Sequence, residues 1–112
     1  MSRMSHLLQR IPVVGALAYQ ERLRPLPSSF PVTLELEPGN RYFRQAIAVL
    51  ANNEKVGYVA PEVARRYAEP LAARAGSPPV TCPARRSVPS DRETSGVELF
   101  LDFSAIDLVP SP

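Results

Sequence analysis

The sequence predicts a small, mostly antiparallel β-barrel of six short strands with one main helix packed on or across it, an α+β fold. Three observations lead there. Apolar runs are short and are separated by turn residues. The 13 prolines divide the 112-residue chain into brief elements and leave little room for long helices. Strands and helices also lack the sustained alternation that builds a parallel sheet. A chain of this length has material for one domain around a single core.

The first element is IPVVGALAY, Ile11 to Tyr19, read as a strand with a bulge or a close backbone approach at Gly15. QERLR follows as a helical turn ahead of a proline-rich loop. In VTLELE, Val32, Leu34 and Leu36 alternate with Thr33, Glu35 and Glu37, the pattern of a half-buried strand. AIAVLANNEKVGYVA holds two apolar runs around Asn52-Asn53, and Asn tolerates the positive φ of a tight hairpin turn. Pro61 then suits the first position of a helix, and Glu62 complements the dipole at its amino terminus. Val63, Tyr67 and Leu71 recur every four residues as its packed face, while Arg65, Arg66 and Arg74 stay wet. Pro70 removes a backbone donor, so a kink or break is expected there and a stop at Gly76. VTCPARR, Val80 to Arg86, reads as an edge or bulged strand because of Pro83. SVPSDRETSG reads as an exposed loop, and VELFLDF closes the fold with Val97, Leu99, Leu101 and Phe103 on one face. Residues 1–10 are expected to be flexible, 11–106 to form the domain, and 107–112 to be a fraying tail.

Composition excludes several function classes. No apolar run approaches the ~20 residues that span a bilayer, and MSRMSHLLQR is too short in apolar residues for a signal peptide. A cytoplasmic protein without membrane partners is expected. Cys82 is the single cysteine and His6 the single histidine, so neither a disulfide nor the usual zinc set is available. No metal or cofactor is expected. A phosphate-cradling loop is missing, Cys82 and His6 lie far apart in sequence, and Glu35, Glu37, Asp91 and Glu93 read as solvated carboxylates. The chain is therefore expected not to be an enzyme. Of the 13 basic residues only Lys55 is lysine, and arginine's planar fork suits phosphate and base contacts.

One stretch stands apart from this framework. ELEPGNRYFRQAIAV, Glu35 to Val49, places Tyr42 and Phe43 between Arg41 and Arg44 on a loop between strands. Two adjacent aromatics there either plug the end of a barrel or stack on a ligand.

EPGNRYFRQAIAV resembles the core motif of the HIRAN domain, acidic-Pro-x-Asn-x-Tyr-Asp-x-x-Ala-Ile-x-Val. VVGALAYQERLR resembles that family's opening strand, and KVGYVAPEVARR its Val-Gly-Tyr strand and following helix. This module precedes the motor in helicase-like remodellers and also stands alone in bacteria. The resemblance implies a modified OB-like barrel and a non-catalytic DNA-binding role in DNA repair, directed at single-stranded DNA or DNA ends. Any helicase or nuclease would then be a separate polypeptide. Carried over position by position, it implies a nucleic-acid site at Tyr19, Asn40, Arg41, Tyr42, Phe43, Arg44 and Tyr58. Tyr42 would stack on a base, with Arg41 and Arg44 holding phosphate. Two departures stand out: the family's Asp after the Tyr is Phe43, and its Arg-Tyr pair ahead of the pocket Tyr is Leu17-Ala18. The alternative is a protein-interaction adaptor, with Val80 to Arg86 as an exposed edge that adds a partner's strand.

Overall fold

The computed structural model describes residues 8–74, 78–87 and 96–111. Strand β1 (Ile11–Val14) leads into a 3₁₀ turn (Ala16–Tyr19) and the short helix α1 (Gln20–Leu23). Then follow β2 (Ser29–Leu36), β3 (Ile47–Ala51), β4 (Glu54–Val59), helix α2 (Pro61–Ala72), β5 (Val80–Arg86) and β6 (Leu99–Leu101). The six strands close into an antiparallel barrel in the order β1-β4-β3-β2-β5-β6. This is the predicted α+β, OB-like architecture. His6, Gly76 and residues 88–95 of the predicted loop lie outside the described residues.

The barrel interior is filled by alternate residues of each strand, including Val32, Leu34, Ile47, Val49, Val56, Val59, Leu99 and Leu101, all buried. Asn52 and Asn53 adopt φ of 53° and 66°, the paired left-handed geometry that matches a hairpin's twist. Gly15 has φ 77°, and it ends β1 five residues before the sequence reading ends it. The stretch after it, ALAY, coils instead of extending. Tyr19 therefore sits on a turn, not on a strand.

Gly57 has a different task. Register slips by one residue between Val49↔Gly57 and Leu50↔Lys55, which makes Val56 an extra residue on β4. The bulged strand presses on β1 so closely that a Cβ at Gly57 would collide with Val13 Cγ1 and lie 2.9 Å from the Val14 carbonyl oxygen. Gly57→Ala is expected to cost about 1–3 kcal/mol through forced displacement of that backbone. A urea midpoint equal to that of the unchanged protein would refute this close-approach account.

Pro70 does not break α2, which runs through it to Ala72. The carbonyl that Pro70 leaves without its helical donor is that of Arg66, and it accepts a hydrogen bond from Ser111 N–H at 2.7 Å. The carboxy-terminal segment expected to fray thus lies along α2, where Arg74 Nη1 also pairs with Asp107 Oδ2 at 2.9 Å.

β5 is an edge over only part of its length. It pairs with β2 from Val80 to Arg85 and with β6 from Ala84 to Arg86. Pro83 is accommodated because Arg86 N–H donates toward β2, at Ser28 O. By alternation the nitrogen of residue 83 faces away from β2, beyond the end of β6, where no ladder donor is required. No helix among the described residues is long and apolar enough to cross a membrane.

Candidate nucleic-acid interface

The loop between β2 and β3 is built on Glu37 and Asn40. Glu37 N–H donates to Ala46 O at 2.9 Å, which closes the base of the loop, and Asn40 N–H donates to Glu37 O at 3.0 Å. The Asn40 side chain then bonds both ways. Its Oδ1 accepts from the backbone N–H groups of Tyr42 at 2.9 Å and Phe43 at 3.0 Å, and its Nδ2 donates to Glu37 Oε1 at 3.0 Å. These bonds fix the backbone conformation of residues 40–43, the short-range side-chain-to-backbone pattern at which Asn excels.

The two aromatics separate on this frame. Tyr42 is 88% exposed. Phe43 is half-buried and packs against the core. Of the two rings, Phe43 takes the packing position and Tyr42 is left facing solvent. Arg41 and Arg44 flank Tyr42, both exposed, and among the described residues neither forms an ion pair.

Tyr58 comes to the same place from β4, because Ala48↔Tyr58 and Leu36↔Ile47 bring β4 alongside the end of β2. Its hydroxyl donates to Glu37 Oε1 at 2.6 Å and accepts from Lys55 Nζ at 2.8 Å, while Lys55 also pairs with Glu37 Oε2. Glu37 is thus the hub of a cluster with Lys55, Tyr58 and Asn40. The reading of Glu37 as a solvated carboxylate is corrected: β2 ends at Leu36, and the side chain turns toward β4. Nothing in the local pattern marks this cluster, because its members come from the β2–β3 loop and from β4, apart in sequence; the solitary lysine was the one available signal.

Tyr19 joins from the 3₁₀ turn. It is half-buried, and the Arg22 guanidinium lies 5.3 Å from its ring centroid while donating to Lys55 O at 2.6 Å. Gly15 starts that turn near the Tyr58 ring, where an added Cβ would come within 3.8 Å of the ring. Gln20, which the sequence reading passed over, anchors the segment: its Nε2 donates to Ala16 O and Val97 O, and its Oε1 accepts from Val97 N–H at 2.7 Å. A side-chain amide there completes the backbone bonding of Val97 as a neighbouring strand would. One end of the barrel therefore carries Tyr19, Tyr58, Asn40 and Tyr42 along a connected set of contacts.

The charges of the cluster are locked at neutral pH. Hydrogen bonds from Lys55, then from Tyr58 and Asn40, hold the Glu37 carboxyl at about 2, against an ordinary 4.5. The bonds to Glu37 and Tyr58 raise Lys55 above its usual value. An acid that far from neutrality is unsuited to proton transfer at pH 7. Cys82 is inert in another way: burial, with the Asp102 charge adding to it, pushes its thiol up to about 12. A carboxyl depressed on folding stabilises the fold above its ordinary value and loses that contribution as pH falls from about 4.5 toward 2. Both partners keep 30% side-chain exposure, so about 1 kcal/mol is expected to disappear over that window. Comparing urea midpoints at pH 7 and pH 3 for the protein and for Glu37→Gln tests this. Equal acid losses in the two would assign the effect elsewhere.

Comparisons with known proteins bear on this geometry. A search of curated proteins and a search of solved structures each found no match. The sequence profile of the HIRAN domain matches residues 8–102, a span that runs from the residues ahead of β1 to the end of β6 and includes every residue of the barrel end just described. On that match, over a closed six-stranded barrel, the chain belongs to the HIRAN domain family.

Proposed function

We propose that this chain is a non-catalytic module that binds single-stranded or frayed DNA at the barrel end formed by Tyr19, Asn40, Arg41, Tyr42, Arg44 and Tyr58. HIRAN domains are in general DNA-binding modules. The observation that carries the finer reading is Tyr42, a large ring left 88% exposed on a loop whose backbone is hydrogen-bonded into place. An exposed ring on a fixed support is what base stacking needs, since little ordering remains to be done on binding. Exposed Arg41 and Arg44 on either side supply phosphate contacts without first breaking an ion pair. Phe43 has a packing role in this reading. It offers no acceptor to a terminal 3′-hydroxyl, so 3′-hydroxyl and 3′-phosphate ends bind alike. The adaptor alternative keeps only part of its edge, because β6 covers Ala84 to Arg86 and leaves Val80 to Pro83 paired with β2 alone.

Fluorescence anisotropy with short single-stranded, duplex and overhang DNA at two salt concentrations tests the proposal. Single strands and overhangs are expected to bind more tightly than blunt duplex. The double variant Arg41→Ala/Arg44→Ala is expected to bind all sequences more weakly and to flatten the salt dependence by roughly 0.7 per lost phosphate contact. An unchanged slope would remove both arginines from the site, and equal affinity for duplex would count against the single-strand reading.

A further inference from the structure

We infer that the outer face of β1, β5 and β6 is a second DNA contact, where Arg10, Phe100 and Arg85 take the backbone and a base of a single strand that extends beyond the Tyr42 loop. The inference rests on the proposed single-strand reading and adds to it a path.

The face is set by register. Ser29↔Arg85, Arg85↔Phe100 and Phe100↔Pro12 form one row across β2, β5, β6 and β1. The adjacent row, Phe30↔Ala84, Ala84↔Leu101 and Leu101↔Ile11, includes Ala84, Leu101 and Ile11, which are at most 3% exposed. Because side chains alternate across a strand, the Arg85-Phe100 row must point outward. The Arg10 guanidinium lies 4.4 Å over the Phe100 ring centroid. Together these residues border a depression of about 500 Å³.

Its charge is positive. Arg10 and Arg85 are exposed, and among the described residues neither has an ion-pair partner. Asp102 is the one carboxylate in the lining, and its Oδ1 already accepts from Ser104 N–H at 2.9 Å and Ser104 Oγ at 2.6 Å. Two arginines, one of them stacked on an aromatic ring, form a phosphate contact next to a base platform.

The two contacts are joined. A second depression is lined by Pro12, Gly15, Leu17, Phe100 and the carboxylate Glu98, and a Cβ at Gly15 would lie 3.8 Å from the Tyr58 ring. Phe100 lines both depressions. From β4 across β1 and β6 to β5 is three strand spacings, about 15 Å, a distance that only an oligonucleotide of several residues covers. Barrels of this type engage roughly 4–16 nucleotides.

The test is anisotropy with oligothymidylates of about three and about twelve nucleotides, lengths that fill the first contact alone or reach both. Arg10→Gln/Arg85→Gln retains the side-chain stems and removes the charge. It is expected to weaken binding of the longer strand about tenfold and to lower its salt slope by about 1.4, with the shorter strand unaffected. Arg85→Gln alone leaves the Arg10-Phe100 stack intact and is expected to show about half of the slope change. Unchanged binding of the longer strand by both variants overturns the second contact and leaves the loop site standing. Failure of the unmodified protein to bind either strand overturns the proposed function and this path together.

Discussion

Phe103→Ala is expected to lower folding stability by about 3–5 kcal/mol, the usual cost of removing a buried phenyl ring. Phe103 is 1% exposed and meets Tyr67 of α2 edge-on, with centroids 5.0 Å apart and planes at 81°. Its N–H donates to Leu8 O, so the residue ties the end of the chain's last strand to the segment ahead of β1 while its ring bridges barrel and helix. The cavity has no easy way to collapse, because rigid barrel strands form one wall and α2 the other. Urea denaturation reads the loss directly. A change under about 1 kcal/mol would show that α2 docks without this contact. Since Tyr67 and Leu8, which Phe103 contacts, lie outside the Tyr42 loop site, binding of a short single strand per folded molecule should stay as it is.

How much of this was readable beforehand depended on the distance over which each feature is determined. The Asn52-Asn53 hairpin was legible because a turn and two apolar runs specify it within fifteen residues. The face of β6 was legible for the same reason: Val97, Leu99, Leu101 and Phe103 alternate and are all buried. The errors came from non-local completion. Pro70 reads as a helix breaker until Ser111, 41 positions beyond it, supplies a donor to the exposed carbonyl. Pro83 marks an edge at its own position, and what its local pattern does not show is that β6 covers the strand from Ala84 onward. Gly15 was identified as special, yet whether the chain bulges or coils there depends on Gln20 reaching Val97.

The candidate site divides along the same line. Its loop was legible as a unit, since Asn40 acts on the backbone two and three residues ahead. The Glu37 hub was not, because Lys55 and Tyr58 reach it only after β4 has paired with β3 and β3 with β2. This cluster also braces the loop that presents the exposed Tyr42. Glu37 holds Asn40, and Asn40 holds the peptide that carries Tyr42.

Tyr42→Ala is therefore expected to cost about 1–3 kcal/mol of single-strand affinity, the range for removing one stacking platform. Its effect on folding should be small, because a side chain 88% exposed in the free protein gives up little buried area on truncation. Phe43 supplies the internal comparison: it lies one residue away, is half-buried and packs on the core, so Phe43→Ala should shift the urea midpoint more than Tyr42→Ala does. Tyr42→Phe separates stacking from hydroxyl contacts, and a platform role requires it to bind nearly as well as the unmodified protein. A Tyr42→Ala protein that folds normally and binds single strands undiminished would remove the ring from the interface, leaving Tyr19, Tyr58 and the arginines to account for any affinity.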